Sequence, residues 1–114
     1  LVSNALNVLF GKNQTVGINE TQPSTGINGL HLDQNFPNPF EGKTTIGFSL
    51  ERNEHVRIVV FDLFGRRVQV LADLEMNAGD HAIVWNADGH GSGVYFCRVQ
   101  TGAGVTKSVR MVVR

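Results

Sequence analysis

The chain has a single cysteine, Cys97, so it can close no disulfide within itself and must fold on apolar packing alone. Proline is scarce: there are three, and two of them, Pro37 and Pro39, share one short stretch. Tryptophan and tyrosine occur once each, as Trp85 and Tyr95. Neither sign of charge is in excess, because ten basic residues balance ten acidic ones. That balance argues against nucleic acid, whose binders carry a basic stripe, and against polybasic attachment to a membrane. No apolar run reaches the roughly 18 residues that a membrane-spanning helix needs. The chain opens on Leu1 with no basic segment and apolar segment behind it. It is therefore expected to be a piece of a longer precursor whose signal peptide, if any, lies elsewhere.

Thirteen glycines, in a chain of 114 residues with few helix-forming runs, point instead to turns and strands. Residues 1–29 differ from the rest. In residues 1–10 the apolar positions 2, 5, 6, 9 and 10 fit one helix face, while Leu6, Val8 and Phe10 also alternate as in the last strand of a preceding domain. From Gly11 to Gly29 the composition is Gly, Asn, Thr, Gln and Ser, the chemistry of a linker with too little apolar surface to order itself. Asn13-Gln14-Thr15 and Asn19-Glu20-Thr21 match the glycosylation triplet, a pattern that Asn/Thr-rich linkers often produce by chance.

From Leu30 onward strand follows strand. Leu30 to Asn35 leads into Phe36-Pro37-Asn38-Pro39-Phe40, where the prolines forbid ladder donation and set a rigid turn. Thr44 to Leu50 alternates, with Ile46, Phe48 and Leu50 on one face. His55 to Asp62 is apolar on both faces and reads as an interior strand. Leu63-Phe64-Gly65-Arg66 is a tight reversal with Gly65 at the left-handed position, followed by a strand from Arg67 to Ala72. After a break at Met76 to Asp80, His81 to Asn86 points Ile83 and Trp85 one way. A Gly-rich loop, Ala87 to Gly93, precedes a strand from Val94 to Thr101, a turn at Gly102-Ala103-Gly104 and a closing strand from Val105 to Val113. The expectation is an all-β, Ig-like antiparallel β-sandwich of about seven strands over residues 30–114.

Reaction chemistry finds little purchase. A Cys-His nucleophile would need Cys97 exposed beside an imidazole, but Cys97 shares strand parity with Tyr95 and Val99, while His31, His55, His81 and His90 sit near strand ends or turns. No C-x-x-C or H-x-x-x-H spacing supports zinc. Gly89-His90-Gly91-Ser92-Gly93 departs from a nucleophile elbow at His90, and no Gly-Lys-Ser/Thr follows a glycine-rich stretch. Asp62, Asp73, Asp80 and Asp88 fall at expected strand ends, where they suit turns and caps. Trp85 and Tyr95 could stack a sugar, yet Trp85 alternates with Ile83 and is more simply core. No catalysis, no cofactor, no metal and no small-molecule substrate is expected.

A set of segments remains, in order: Leu32-Asp33-Gln34-Asn35-Phe36-Pro37-Asn38-Pro39-Phe40, Thr44 to Leu50, Val60-Phe61-Asp62-Leu63-Phe64-Gly65-Arg66-Arg67-Val68, Gly79-Asp80-His81 leading to Trp85, Ser92-Gly93-Val94-Tyr95-Phe96, and Lys107 to Val113. Together they resemble the type A C-terminal sorting domain of the type IX (Por) secretion system of Bacteroidetes and relatives, from about Leu30 to Arg114. The resemblance implies a non-catalytic export signal. It carries a larger cargo through the periplasm and across the outer membrane to the cell surface or beyond. The partners it implies are the type IX translocon, shuttle and sortase proteins and the upstream cargo domain of the same precursor. A sortase would cut within Gly11 to Gly29, and the resemblance also allows for joining of the cargo to an anionic lipopolysaccharide. The family's motifs fall on Pro37-Asn38-Pro39, on Gly93 and Tyr95, and on the late basic residue Lys107. Cys97, where an aromatic or aliphatic residue is more usual, and Glu41-Gly42-Lys43 depart from the pattern without breaking the fold.

For the prolines, two readings stand side by side: an exposed turn preorganised for a receptor, or a device that fixes how the chain enters the next strand. For Gly93 and Tyr95 the plain reading is a glycine at a strand start and a ring that packs while its hydroxyl finds a backbone partner. The closing strand is a candidate sheet edge that could recruit a partner by strand addition, with Val109→Pro as the probe. Two other classes stay open, a passive Ig-like spacer or adhesion module, similar in texture to the flagellar hook-capping domain, and a carbohydrate-binding accessory. An exposed Trp85 would favour sugar binding, and an internal position in the precursor would favour a spacer.

Overall fold

The computed structural model describes residues 29–114. The reading of residues 1–10, the linker as far as residue 28 and both glycosylation triplets lie outside the described residues. Seven strands follow in order: β1 (Leu30–Leu32), β2 (Lys43–Leu50), β3 (Glu54–Asp62), β4 (Arg67–Met76), β5 (Gly79–Asn86), β6 (Gly93–Thr101) and β7 (Thr106–Val113). All strand pairs are antiparallel, in a three-stranded sheet β1-β2-β5 and a four-stranded sheet β4-β3-β6-β7. The chain is thus all-β over its described residues, as the alternation requires, and consistent with an Ig-like sandwich.

Period-two alternation turns Ile46, Phe48 and Leu50 of one sheet toward Val56, Ile58, Val60, Cys97, Val99 and Met111 of the other, and all are buried. At about 1.5–3 kcal/mol for each large side chain removed from water, this interior supplies the main driving force. Trp85 is fully buried at one end of it, with Phe40 edge-on at 5.8 Å and Tyr95 edge-on at 5.2 Å. Its indole N–H donates to Gln69 Oε1 at 3.2 Å, so the one polar atom of the ring has a partner. β3 is interior, between β4 and β6, as its two apolar faces suggested.

β4 runs four residues beyond the expected end at Ala72. Asp73, expected at a strand end, lies instead within the strand opposite Arg57, and Glu75 beyond it lies opposite His55. Cross-strand polar contacts replace apolar alternation there: a His55–Asp73 hydrogen bond at 2.5 Å, and Arg57 with Asp73 at 3.9 Å. Asp80 likewise sits inside β5, opposite Ser49. Asp62 does close its strand as expected, accepting the Phe64 and Arg66 backbone N–H groups at 2.9 Å each. Gly65 takes φ 82° in that turn, the left-handed position assigned to it.

Candidate functional site

After β1 the chain keeps to the side of β2: Asp33 N–H donates to Gly47 O, and Phe36 and Thr45 exchange both backbone hydrogen bonds. It then crosses to the other sheet. Phe40 N–H donates to Val112 O at 3.0 Å, Arg114 N–H donates to Phe40 O at 2.9 Å, and Phe40 forms a parallel bridge with Val113. Residues 37–39 make the crossing, and both Phe36-Pro37 and Asn38-Pro39 are cis. The segment therefore closes the side of the sandwich between β2 and β7.

The crossing is fastened from both sides. Asn38 Oδ1 accepts the Val112 N–H at 2.9 Å, and Asn38 Nδ2 donates to Arg110 O at 3.4 Å. Gln34 Nε2 donates to the same carbonyl at 2.7 Å. Beneath the turn Asn35 is buried, donating to Thr44 Oγ1 at 2.9 Å, while Thr44 Oγ1 donates to Pro37 O at 2.8 Å. Phe40 carries the segment into the core against Trp85. Pro37, Asn38 and Pro39 themselves remain exposed, and Phe36 beside them is 79% exposed. The turn thus fixes the chain's path between the sheets and faces solvent. Phe36 was not singled out from the sequence. Its signal was available, an aromatic next to two prolines that cannot continue a ladder.

Gly93 and Tyr95 lie at the same end of the sandwich, opposite Val113 and Met111 of β7. Gly93 has φ 145°, in the range that glycine alone occupies without strain, as the chain enters β6 from its loop. The Tyr95 ring packs on Trp85, and its hydroxyl donates to Gly91 O at 2.6 Å. This is a tyrosine corner, which pins the loop between β5 and β6 to the sandwich. Phe40 and Tyr95 share Trp85, so the proline segment and the Gly-x-Tyr segment are linked through one buried ring. A depression of about 250 Å³ lies between the β3–β4 turn and Ser92–Tyr95. Desolvation pushes the Asp62 carboxyl at its rim up, but hydrogen bonds from Arg66 and Phe64 prevail and hold it below its ordinary value.

Lys107 stands apart. It is opposite Val99 near the start of β7, about 17–20 Å along the strand from the Val112–Val113 end, at about 3.4 Å per residue. β7 is an edge strand, as expected, yet its Arg110–Val112 stretch is already covered by Gln34, Asn38 and Phe40. Cys97 is fully buried, and burial pushes its thiol pKa up to about 12. It holds no thiolate for nucleophilic chemistry near neutral pH. Trp85, with no exposed surface, cannot stack a sugar.

Fold and site define a small two-sheet module whose most distinctive surface is an exposed proline turn clamped to a sheet edge. A family model described as "Secretion system C-terminal sorting domain" matches residues 34–114, and the chain belongs to that family, the type IX sorting domains. Membership makes it an export signal of that system, with the cell surface or extracellular space as destination. A search among curated proteins gives no match. Among solved structures the chain is similar to a β-glucosidase from Listeria innocua crystallised with glucose, at 13% identity and a TM-score of 0.45. That likeness covers 74% of this chain and 15% of the other, so the chain spans a small part of that enzyme's length.

Proposed function

We propose that residues 30–114 are a removable address, held by type IX outer-membrane proteins while an upstream cargo domain is exported. In this reading residues 1–29 are the tether or the tail of the cargo, and a sortase cuts between Gly11 and Gly29 once delivery is complete. The domain itself performs no reaction. The observation that carries the reading is the family match, which runs from Gln34 to Arg114 and takes in all but the first strand of the sandwich.

The contact surface is the exposed Phe36–Pro39 turn with the adjoining Gly93–Tyr95 end. A receptor gains most from a surface that is already ordered, because docking then costs little conformational entropy. The Asn38 clamp supplies that order, and Phe36 offers an aromatic anchor of the kind that dominates binding interfaces. Lys107 acts as a separate electrostatic contact at the other end of β7. The test is export: residues 11–114 fused to a periplasmic reporter, in a host that has this system, should bring the reporter to the cell surface. Phe36→Ala should leave the fusion folded and reduce its export. A folded reporter that stays in the periplasm would overturn the reading.

A further inference from the structure

The outer face of the four-stranded sheet carries an ordered pattern outside the site above. Phe61, Phe96 and Arg110 are successive register partners across β3, β6 and β7, and Arg67 of β4 joins them opposite Phe61 just past a bulge that skips Val68, so the four form one row on one face. Strand parity turns that row away from the core, which takes Val60, Tyr95, Cys97 and Met111. In the next row Arg98 lies opposite Val59, and its guanidinium sits over the Phe61 ring at 4.4 Å. Val70 ends that row and is 42% exposed. Three arginines therefore occupy register positions beside two half-buried aromatic residues, Phe61 and Phe96.

The charge is one-sided. Among the described residues Arg67, Arg98 and Arg110 make no salt bridge, whereas Arg57 pairs with Asp73 and Arg66 with Asp62. The acids on this face, Asp73 and Glu75, lie at its far end, engaged with His55 and Arg57. A face that is aromatic in the middle and cationic at both margins complements an acidic partner with an apolar centre. Arginine, with its planar fork, suits carboxylates.

We infer that this face is a docking surface for an extended acidic protein segment, with the pattern acid-x-apolar-x-acid. The spacing follows from the sheet. Arg67 and Arg110 stand on strands three inter-strand steps apart, about 14 Å at about 4.8 Å each. Residues i and i+4 of an extended chain are separated by about 13–14 Å and point the same way, with residue i+2 between them. Two carboxylates would thus reach the outer arginines while an apolar side chain lies on Phe61 and Phe96. The rings are half-buried rather than projecting, which suits a shaped protein partner better than a bilayer, into which apolar side chains must insert. The inference goes beyond the sorting reading, because it rests on the sheet face alone.

The test takes the whole chain and a synthetic capped peptide, Ser-Glu-Thr-Val-Thr-Glu-Ser, followed by NMR at the Phe61 and Phe96 ring resonances. Saturable shifts at those rings are expected, weakening as salt is raised. Arg67→Gln with Arg110→Gln, both at exposed positions, should weaken binding about tenfold, and Arg98→Gln should weaken it separately. A peptide with Gln in place of Glu should leave the rings unmoved. No shift at about 10 mM peptide, or equal affinity in the folded double variant, would overturn the inference. So would sedimentation of the chain with phosphatidylglycerol vesicles, dependent on the same arginines, since that assigns the face to an anionic bilayer.

Discussion

Asn38 stands to Val112 as a neighbouring strand would: its side-chain oxygen takes the Val112 N–H at 2.9 Å while its amide nitrogen reaches Arg110 O. A carboxamide carries the same donor and acceptor as a peptide group, so one side chain can satisfy a stretch of sheet edge that would otherwise face water. This explains why the residue between the two prolines is an asparagine. Pro37 and Pro39 have no N–H to offer, and the side chain supplies what the backbone there lacks.

Replacing that amide tests the clamp. Asn38→Ala should cost about 1 kcal/mol, the usual loss for a hydrogen bond whose partner is left partly exposed. For a domain of this size that corresponds to a fall in Tm of about 4–8 °C. The Val112 amide should exchange with solvent faster than the Val109 amide, which faces β6. Unchanged exchange at Val112 would mean that the clamp does not persist in solution.

The tyrosine corner makes a second, independent case. Tyr95→Phe keeps the ring against Trp85 and removes only the hydroxyl that reaches Gly91 O at 2.6 Å. We expect a loss of about 1–1.5 kcal/mol, with near-ultraviolet circular dichroism of Trp85 retained. Gly93→Ala should also destabilise, because φ 145° is strained for any residue with a Cβ, although nothing lies within 4 Å of where that atom would stand. Calorimetric unfolding of the two variants checks both.

Much of this sandwich was legible because its strands alternate cleanly. Ile46-Phe48-Leu50 and Val56-Ile58-Val60 announce their buried face, and Gly65 marks its own turn. The proline segment was legible as a turn, but its attachment to β7 was not. Asn38 and Val112 are far apart in sequence, and a side chain acting as a strand leaves no periodic trace. The end of β4 was missed for a related reason: Asp73 and Glu75 are stabilised by partners on β3, and local propensity sees only acids that favour turns. The arginine-phenylalanine row is invisible until the register is known, since its members come from four strands.

Cys97 gives a prediction with a definite sign. Its folded pKa of about 12 lies above the ordinary thiol value of 9.0 because burial disfavours the thiolate. The neutral thiol therefore contributes stability that is whole below pH 9 and is lost progressively as pH rises toward 12. In that window the wild-type chain should lose stability faster than Cys97→Ala, by up to about 1.4 kcal/mol per pH unit. Alkylation by iodoacetamide near pH 8 should proceed only through opening of the fold. Rapid labelling of the native chain would show that the thiol is not enclosed.

The exposed edge of β7 decides how a partner strand could add. Val112 uses its N–H and C=O outward, toward Asn38 and Phe40, so alternation turns Arg110, Ser108 and Thr106 outward and Val109 inward against Cys97. Val109→Pro would thus break the β6–β7 ladder and unfold the sheet, and lost export in that variant would say nothing about strand addition. Ser108→Pro removes an outward N–H instead, at a place where an edge strand tolerates proline. If export depends on strand addition at this edge, Ser108→Pro should fold with nearly wild-type Tm and fail to reach the cell surface in the reporter fusion. If it is exported normally, recognition does not use the β7 edge and must fall to the turn at Phe36–Pro39 or to the sheet faces.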